Sequence, residues 1–176
     1  MKPPRFCPQC AAELAPQERD GAPRLACSCG FVHWNNPTPV VAAIVERDGC
    51  VLLARNKAWP GEFYGLITGF LEANEHPELG VVREVKEELG LDSDVAGFVG
   101  HYIFERMNQI ILAYHLRAAP GEIQLGDELA AYKAVPIEKL RPWPYATGEA
   151  VRDWLARRLL EQGPAKPPSA PPAASG

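Results

Sequence analysis

The chain of 176 residues carries 18 Lys and Arg against 22 Asp and Glu, a net charge of −4, with 47% apolar and 23% charged residues. That composition suits one sizeable core with a small appendage, and it argues against a partner such as nucleic acid, whose backbone calls for a basic surface. The N-terminal stretch MKPPRFCPQC is polar and Pro-rich and no long apolar run follows, so a cytoplasmic protein without a membrane partner is expected.

Residues 1–34 hold four of the five cysteines, and NNPTP (35–39) reads as a short, stiff linker. Cys7-x2-Cys10 has the spacing of a zinc knuckle; Cys27-x-Cys29 follows, one residue short of a second. Four soft ligands at nearly the spacing of a structural site favour bound Zn²⁺ over free thiols. His33 is either a substitute ligand or a packing residue. The odd cysteine count speaks against a disulfide framework, and Cys50 reads most simply as a small apolar residue.

PVVAAIVERDGCVLLAR (39–55) is two β-rich runs around Asp48-Gly49, a hairpin signal. In GFLEANEHPELGVVREVKEELGL (69–91), Pro77 suits a first helical position, Glu78 complements the N-terminal dipole and Gly90 supplies a left-handed stop, so a helix is expected over 77–89. Helical periodicity puts Leu79, Val82, Val85 and Leu89 on a buried side, with Glu84, Glu87 and Glu88 opposite. Strands are expected at 95–106 and 110–118, joined near Met107-Asn108-Gln109, then a strand and turn over 131–140. A final helix over 147–162 should pack through Val151, Trp154, Leu155 and Leu159. The tail 163–176 is rich in Pro and Ala without periodicity and is expected to be disordered. The element order implies a mixed α/β sheet covered by helices.

Three glutamates within five residues form an ordinary solvated helix face or, if they line a cleft, a cation site. In a cleft, two carboxylates about 6 Å apart repel by roughly 3 kcal/mol at an effective dielectric of 20. Hard oxygens without nearby His or Cys select Mg²⁺ or Mn²⁺.

Residues 69–91 spell G-x5-E-x7-R-E-U-x-E-E-x-G-U, U being aliphatic. This resembles the Nudix hydrolase signature at every specified position. The resemblance implies a Nudix-type α/β/α sandwich over 38–162, preceded by the ribbon at 1–34, and cleavage of a nucleoside diphosphate linked to another group. It also implies that Glu84 and Glu88 hold the divalent metal with help from Glu87, that Glu75 and Arg83 organise the site, and that Gly69 lets backbone approach the metal. Where many such sequences read Glu-x-Gly-Glu, this one has Glu72-Ala73-Asn74-Glu75, and Asn tolerates the left-handed conformation. A further downstream glutamate of some relatives aligns with Ala130, leaving Asp127 and Glu128 as substitutes or as ordinary loop charge. Many relatives are dimers, and a homodimer is expected on that ground.

A zinc ribbon joined to a Nudix domain resembles the NADH pyrophosphatase group, which carries Ser-Gln-Pro-Trp-Pro-Phe-Pro shortly after the signature. This chain has HYIFERMNQ (101–109) there; PWPY (142–145) lies about fifty residues beyond the signature and is not equated with that run. Candidate substrate contacts are Arg55 and Arg106 for phosphate, Glu72 in the loop, and the aromatics Trp59, Phe63, Tyr64, Tyr102 and Phe104 for ring stacking. Core or rim is the ordinary place for each of them. The expected function is Mg²⁺-dependent hydrolysis of a small-molecule nucleotide substrate, with NAD(H), ADP-ribose and FAD foremost. The alternatives are a nucleoside triphosphate housecleaning hydrolase and a non-catalytic regulator that binds nucleic acid through its ribbon.

Overall fold

A computed structural model describes residues 3–59 and 61–162. The tail at 163–176, expected above to be disordered, lies outside the described residues. Near the N-terminus, β1 (Ala15–Arg19), β2 (Ala22–Ala26) and β3 (Val32–His33) form an antiparallel sheet. Asp20 and Gly21 turn β1 into β2 at φ 49° and 73°, the left-handed pair that matches the twist of a tight hairpin. Cys7, Leu14 and Cys27 form its buried cluster, with Leu25 and Phe31 packed against them, and Ala26 of β2 is buried as well.

The larger unit runs β4 (Thr38–Arg47), β5 (Cys50–Asn56), β6 (Ile67–Phe70), α1 (Pro77–Leu89), β7 (Ser93–Phe104), β8 (Gln109–Ala118), β9 (Leu129–Pro136) and α2 (Gly148–Gln162). Its sheet has the order β7-β8-β4-β5-β9, and β6 pairs with β4. The β4–β8 pairing is parallel and the others are antiparallel. Asp48 and Gly49, at φ 50° and 72°, close the expected β4–β5 hairpin.

The sequence VVAAIV in β4 is unbroken by polar residues because helices cover both faces of the sheet. Val40, Ala42 and Ile44 pack into a core with Val151 and Trp154 of α2. Val41, Ala43 and Val45 pack into a second core with Val81, Val85 and Leu89 of α1. Each of those three α1 side chains is worth roughly 1.5–3 kcal/mol of apolar burial. The α/β/α sandwich is therefore set by alternation along one strand. Among the described residues no helix is long and apolar enough to cross a membrane.

Four local expectations need correction. Leu79 is 64% exposed, because the buried stripe follows Val81, Val85 and Leu89 at i, i+4, i+8 and Leu79 lies about 120° from Val85. By the same geometry Glu84 and Glu88 flank the buried stripe at about 100° and 60°, and only Glu87 points fully away; the Glu84 side chain is 13% exposed against 58% for Glu87. Leu159 is 71% exposed, flanking an open groove beside Leu155, Ile137 and Leu140. Tyr102 is buried, its hydroxyl donating to Asp153 Oδ2 at 2.9 Å, so it offers no ring for stacking. The short strand β6 is not evident in the sequence, since four residues that include Gly69 carry little periodicity.

Candidate active site

Gly69 lies in β6 opposite Val41, and the chain then turns through the loop 71–76 into α1. Asn74 takes φ 64° in this loop, the left-handed conformation for which Asn is suited. The turn brings Glu75 back onto the helix. Arg83 donates through Nε and Nη2 to the two oxygens of Glu75 at 2.8 and 2.9 Å, a bidentate pair. Its Nη1 donates to Glu84 Oε1 at 2.8 Å and Glu87 Oε2 at 3.0 Å, and Nη2 reaches the Phe70 carbonyl at 3.1 Å. One guanidinium thus ties loop, strand end and helix together. The Glu72 N–H also donates to Glu75 at 3.0 Å while the Glu72 side chain stays exposed. Arg83, with that backbone donor, holds the Glu75 carboxyl down at about 2, and the Glu75 carboxylate in turn raises the Arg83 pKa.

The remaining carboxylates are pushed the other way. Burial raises the Glu84 pKa against the pull of Arg83. Burial again, followed by the charges of Glu84, Glu128 and Glu87, raises Glu88 to about 8. Gly126 lies against the end of α1, where a Cβ would stand 2.6 Å from the Glu87 carbonyl, and that close approach leads the chain to Glu128 near Glu88. Asn56 Nδ2 donates to Glu128 Oε2 at 3.3 Å, whereas Asp127 is tied only through its carbonyl, to Lys57 Nζ.

At Gly69 any side chain would displace the Glu84 carboxylate. A Cβ there would sit 1.8 Å from Glu84 Cδ and 2.0 and 2.2 Å from its oxygens. A bare backbone against the Glu84 carboxylate, with burial and the neighbouring carboxylates raising the Glu88 pKa, fits a hard divalent cation among oxygen donors. The four cysteines fit a softer one. Sγ of Cys7 and Cys29 stand 3.5 Å apart and those of Cys10 and Cys27 3.4 Å apart, and all four lie within 4.8 Å of one another. Tetrahedral Zn–S bonds of about 2.3 Å imply sulfurs about 3.8 Å apart. The shortened Cys27-x-Cys29 pair therefore reaches the cluster, and the set closes without His33. Among the described residues it is the one group of three or more potential ligands gathered within a single ion's reach.

Of the expected substrate contacts, Trp59, Phe63, Phe104 and Arg106 line one cavity of about 390 Å³. Arg55 and Tyr64 are not part of its lining: Arg55 Nε is buried without a partner on β5, and the Tyr64 ring lies under Lys133 Nζ at 3.9 Å. Sequence reasoning missed Trp143 and Tyr145. Phe63 centres an aromatic cluster with Trp59 at 5.6 Å, Trp143 at 5.7 Å and Tyr145 at 5.6 Å between ring centroids. The signal was the PWPY run, set aside because it lies so far along the chain from the signature. Thr68 borders this cavity while Gly69, the next residue, borders Glu84, so the aromatic cavity and the carboxylates lie on opposite faces of β6.

The family model for the NUDIX domain matches residues 36–157. Over 93% of its length the chain is 29% identical to the NAD-capped RNA hydrolase NudC of Pseudomonas aeruginosa, and over 90% it is 29% identical to that of Vibrio vulnificus. It spans about 60% of the length of these curated relatives. Among solved structures, a NUDIX hydrolase from Nitrosomonas europaea superposes with a TM-score of 0.77 at 23% identity, covering 90% of this chain and 93% of that one. An ADP-ribose pyrophosphatase from Streptococcus suis does so with 0.58 at 22% identity, covering 70% and 92%. With the fold in common and the family model covering well over half its length, this chain belongs to the NUDIX family.

Proposed function

We propose that the protein is a Mg²⁺- or Mn²⁺-dependent pyrophosphohydrolase that cleaves the diphosphate bridge of a nucleoside diphosphate derivative, with NAD(H), ADP-ribose and FAD the foremost substrates. The observation that carries this reading is Gly69, whose bare Cα leaves just enough space for the Glu84 carboxylate beside the buried, uncompensated Glu88. Glu84 and Glu88, assisted by Glu87, would hold the cation. When bound, a divalent cation offsets the charge of the phosphates and makes a bound water more acidic. The chain supplies positioning. Arg83 fixes Glu84 and Glu87, Glu75 fixes Arg83, and both act where β6, which carries Gly69, leads into the loop. Glu128 supplies the downstream carboxylate in place of the alanine at 130, a reading supported by its field at Glu88, to which Asp127 adds nothing.

The aromatic cavity is of a size for one nucleoside. Phe63, Trp143 and Tyr145 would stack a base or nicotinamide ring while Arg106 at its rim holds phosphate. The ribbon, residues 1–34 with Zn²⁺ on Cys7, Cys10, Cys27 and Cys29, forms a structural domain beside the hydrolase domain at 38–162. Curated relatives act on NAD-capped RNA, which places capped RNA among the substrates to test despite the acidic net charge.

The decisive experiment measures kcat/KM with Mg²⁺ or Mn²⁺ for NADH, NAD⁺, ADP-ribose, FAD, an NAD-capped oligoribonucleotide and the nucleoside triphosphates, with products identified by mass. Cleavage at the pyrophosphate, reduced at least about 10²-fold by Glu84→Gln or Glu88→Gln, is expected. A clear preference for a triphosphate would favour the housecleaning reaction instead. Full turnover in both variants would sink the assignment of the carboxylates.

A further inference from the structure

At the far end of the sheet, on the α2 face, a cavity of about 210 Å³ opens between β7, β8 and α2. Glu46, which anchors its wall, lies five residues along β4 from Val41, the partner of Gly69, or roughly 17 Å at strand rise. The cavity is therefore separate from the carboxylate site. Arg117, Arg157, Arg158 and His115 line it, with Glu161 the acid among its lining residues.

The cations are unequally engaged. Glu46 accepts from both Nη atoms of Arg158 at 3.0 and 3.1 Å and holds His115 Nε2 at 2.8 Å. The His115 ring and the Arg158 guanidinium both rest against Trp154, at 5.2 and 5.4 Å. Arg158 is thus neutralised and fixed, with three N–H donors left over. Arg157 donates to the Phe98 carbonyl at 3.3 Å. Arg117 is exposed at the rim with no ion pair among the described residues; Asp94, its partner across the ladder, does not reach it. Burial keeps the His115 pKa below its usual value, and the charges of Arg117 and Arg158 act in the same sense, opposed by Glu46.

The backbone contributes as well. The β7–β8 ladder skips Ala96 and Val99, bulges that leave residues without a partner and bend the strand. Both residues line the cavity, together with Gly97, where a Cβ would meet only open space. A strand opened by two bulges, under two guanidinium groups with spare donors and a third held in place, has the planar-fork chemistry that suits phosphate oxygens. The space is too small for a dinucleotide.

We propose that this pocket binds a phosphoryl group between Arg117 and Arg157, backed by Arg158, either as free phosphate or as the head of a small phosphate monoester.

The test titrates the full chain with inorganic phosphate, and separately with adenosine monophosphate, by calorimetry and thermal shift at constant ionic strength with no divalent cation added. Without a cation the carboxylate site repels phosphate. A saturable response absent with chloride is expected, weakened about ten-fold or more in Arg117→Ala, partly kept in Arg117→Lys and unchanged in Glu84→Gln. Among the described residues Arg117 has no ion pair to lose, so both of its variants should melt like the parent without ligand. Tighter binding of the monoester than of phosphate, by a margin that Arg117→Ala abolishes and Phe63→Ala leaves in place, would identify an ester as the ligand of this pocket; equal binding would identify free phosphate. Binding that persists at parental affinity in Arg117→Ala and Arg157→Ala, or that disappears in Glu84→Gln, would overturn the inference.

Discussion

Gly69→Ala should separate chemistry from folding. The added Cβ would lie 1.8 Å from Glu84 Cδ, where contacts under 3.0 Å are essentially never seen. The carboxyl must therefore retreat by more than about 1 Å, a displacement that can cost on the order of 10²-fold in rate, or about 2.7 kcal/mol of barrier. The fold should bear the change, because the clashing atoms are the far end of a flexible side chain. Gly69 is also not among the residues at positive φ, and its pairing with Val41 uses backbone alone. Measured with Mg²⁺ or Mn²⁺ on the best dinucleotide substrate, kcat should fall about 10²-fold while the melting temperature stays within a few degrees. A variant that turns over within about three-fold of the parent would refute the claim that the bare glycine exists for Glu84. A variant that loses both activity and fold would show that β6, not the carboxylate, requires glycine.

Elemental analysis should find about one zinc per chain, and removal of zinc should loosen residues 1–34 to protease while the carboxylate-dependent hydrolysis survives; a metal-free ribbon of equal resistance would refute the site. Glu75 titrates at about 2 in the folded chain, below its unfolded value near 4.5, so its contribution to stability is complete above that value and declines as pH falls through about 2. Urea unfolding of the parent and Arg83→Gln should therefore show a stability difference that shrinks on acidification below about 4.5, and a difference independent of pH would show that the ion pair is not its source. Phe63→Ala should raise KM for ring-bearing substrates about ten-fold by removing the centre of the aromatic cluster, with little change in kcat; an effect confined to kcat would place that cluster elsewhere in the reaction.

The signature fixed most of the carboxylate site because its parts are local. A proline start, a glycine stop and charged residues within two turns are enough to specify α1, and Arg83 meets Glu84 and Glu87 by helical proximity alone. The β4–β5 hairpin is legible for the same reason, since Asp48-Gly49 dictates its own turn. Periodicity also located the second helix, yet it erred at Leu79 and Leu159. A repeating angle gives a direction, and whether that direction meets protein or water depends on how far the sheet extends beneath it.

What the tertiary structure decided is everything that joins distant segments. Glu128 approaches Glu88 only because the loop after β8 presses Gly126 onto the end of α1. Trp143 and Tyr145 reach Phe63 across some eighty residues, while the nearer Tyr102 turns inward to Asp153. The cysteine spacing suggested a cluster but left its second pair one residue short, and the loop between Cys27 and Phe31 brings Cys29 within reach of the other three sulfurs. Local sequence sets backbone conformation and the order of charges along an element, because those depend on neighbours a few bonds away. Which charge is left buried without a partner, and which ring faces an open cavity, depends on contacts formed only when the chain has closed on itself.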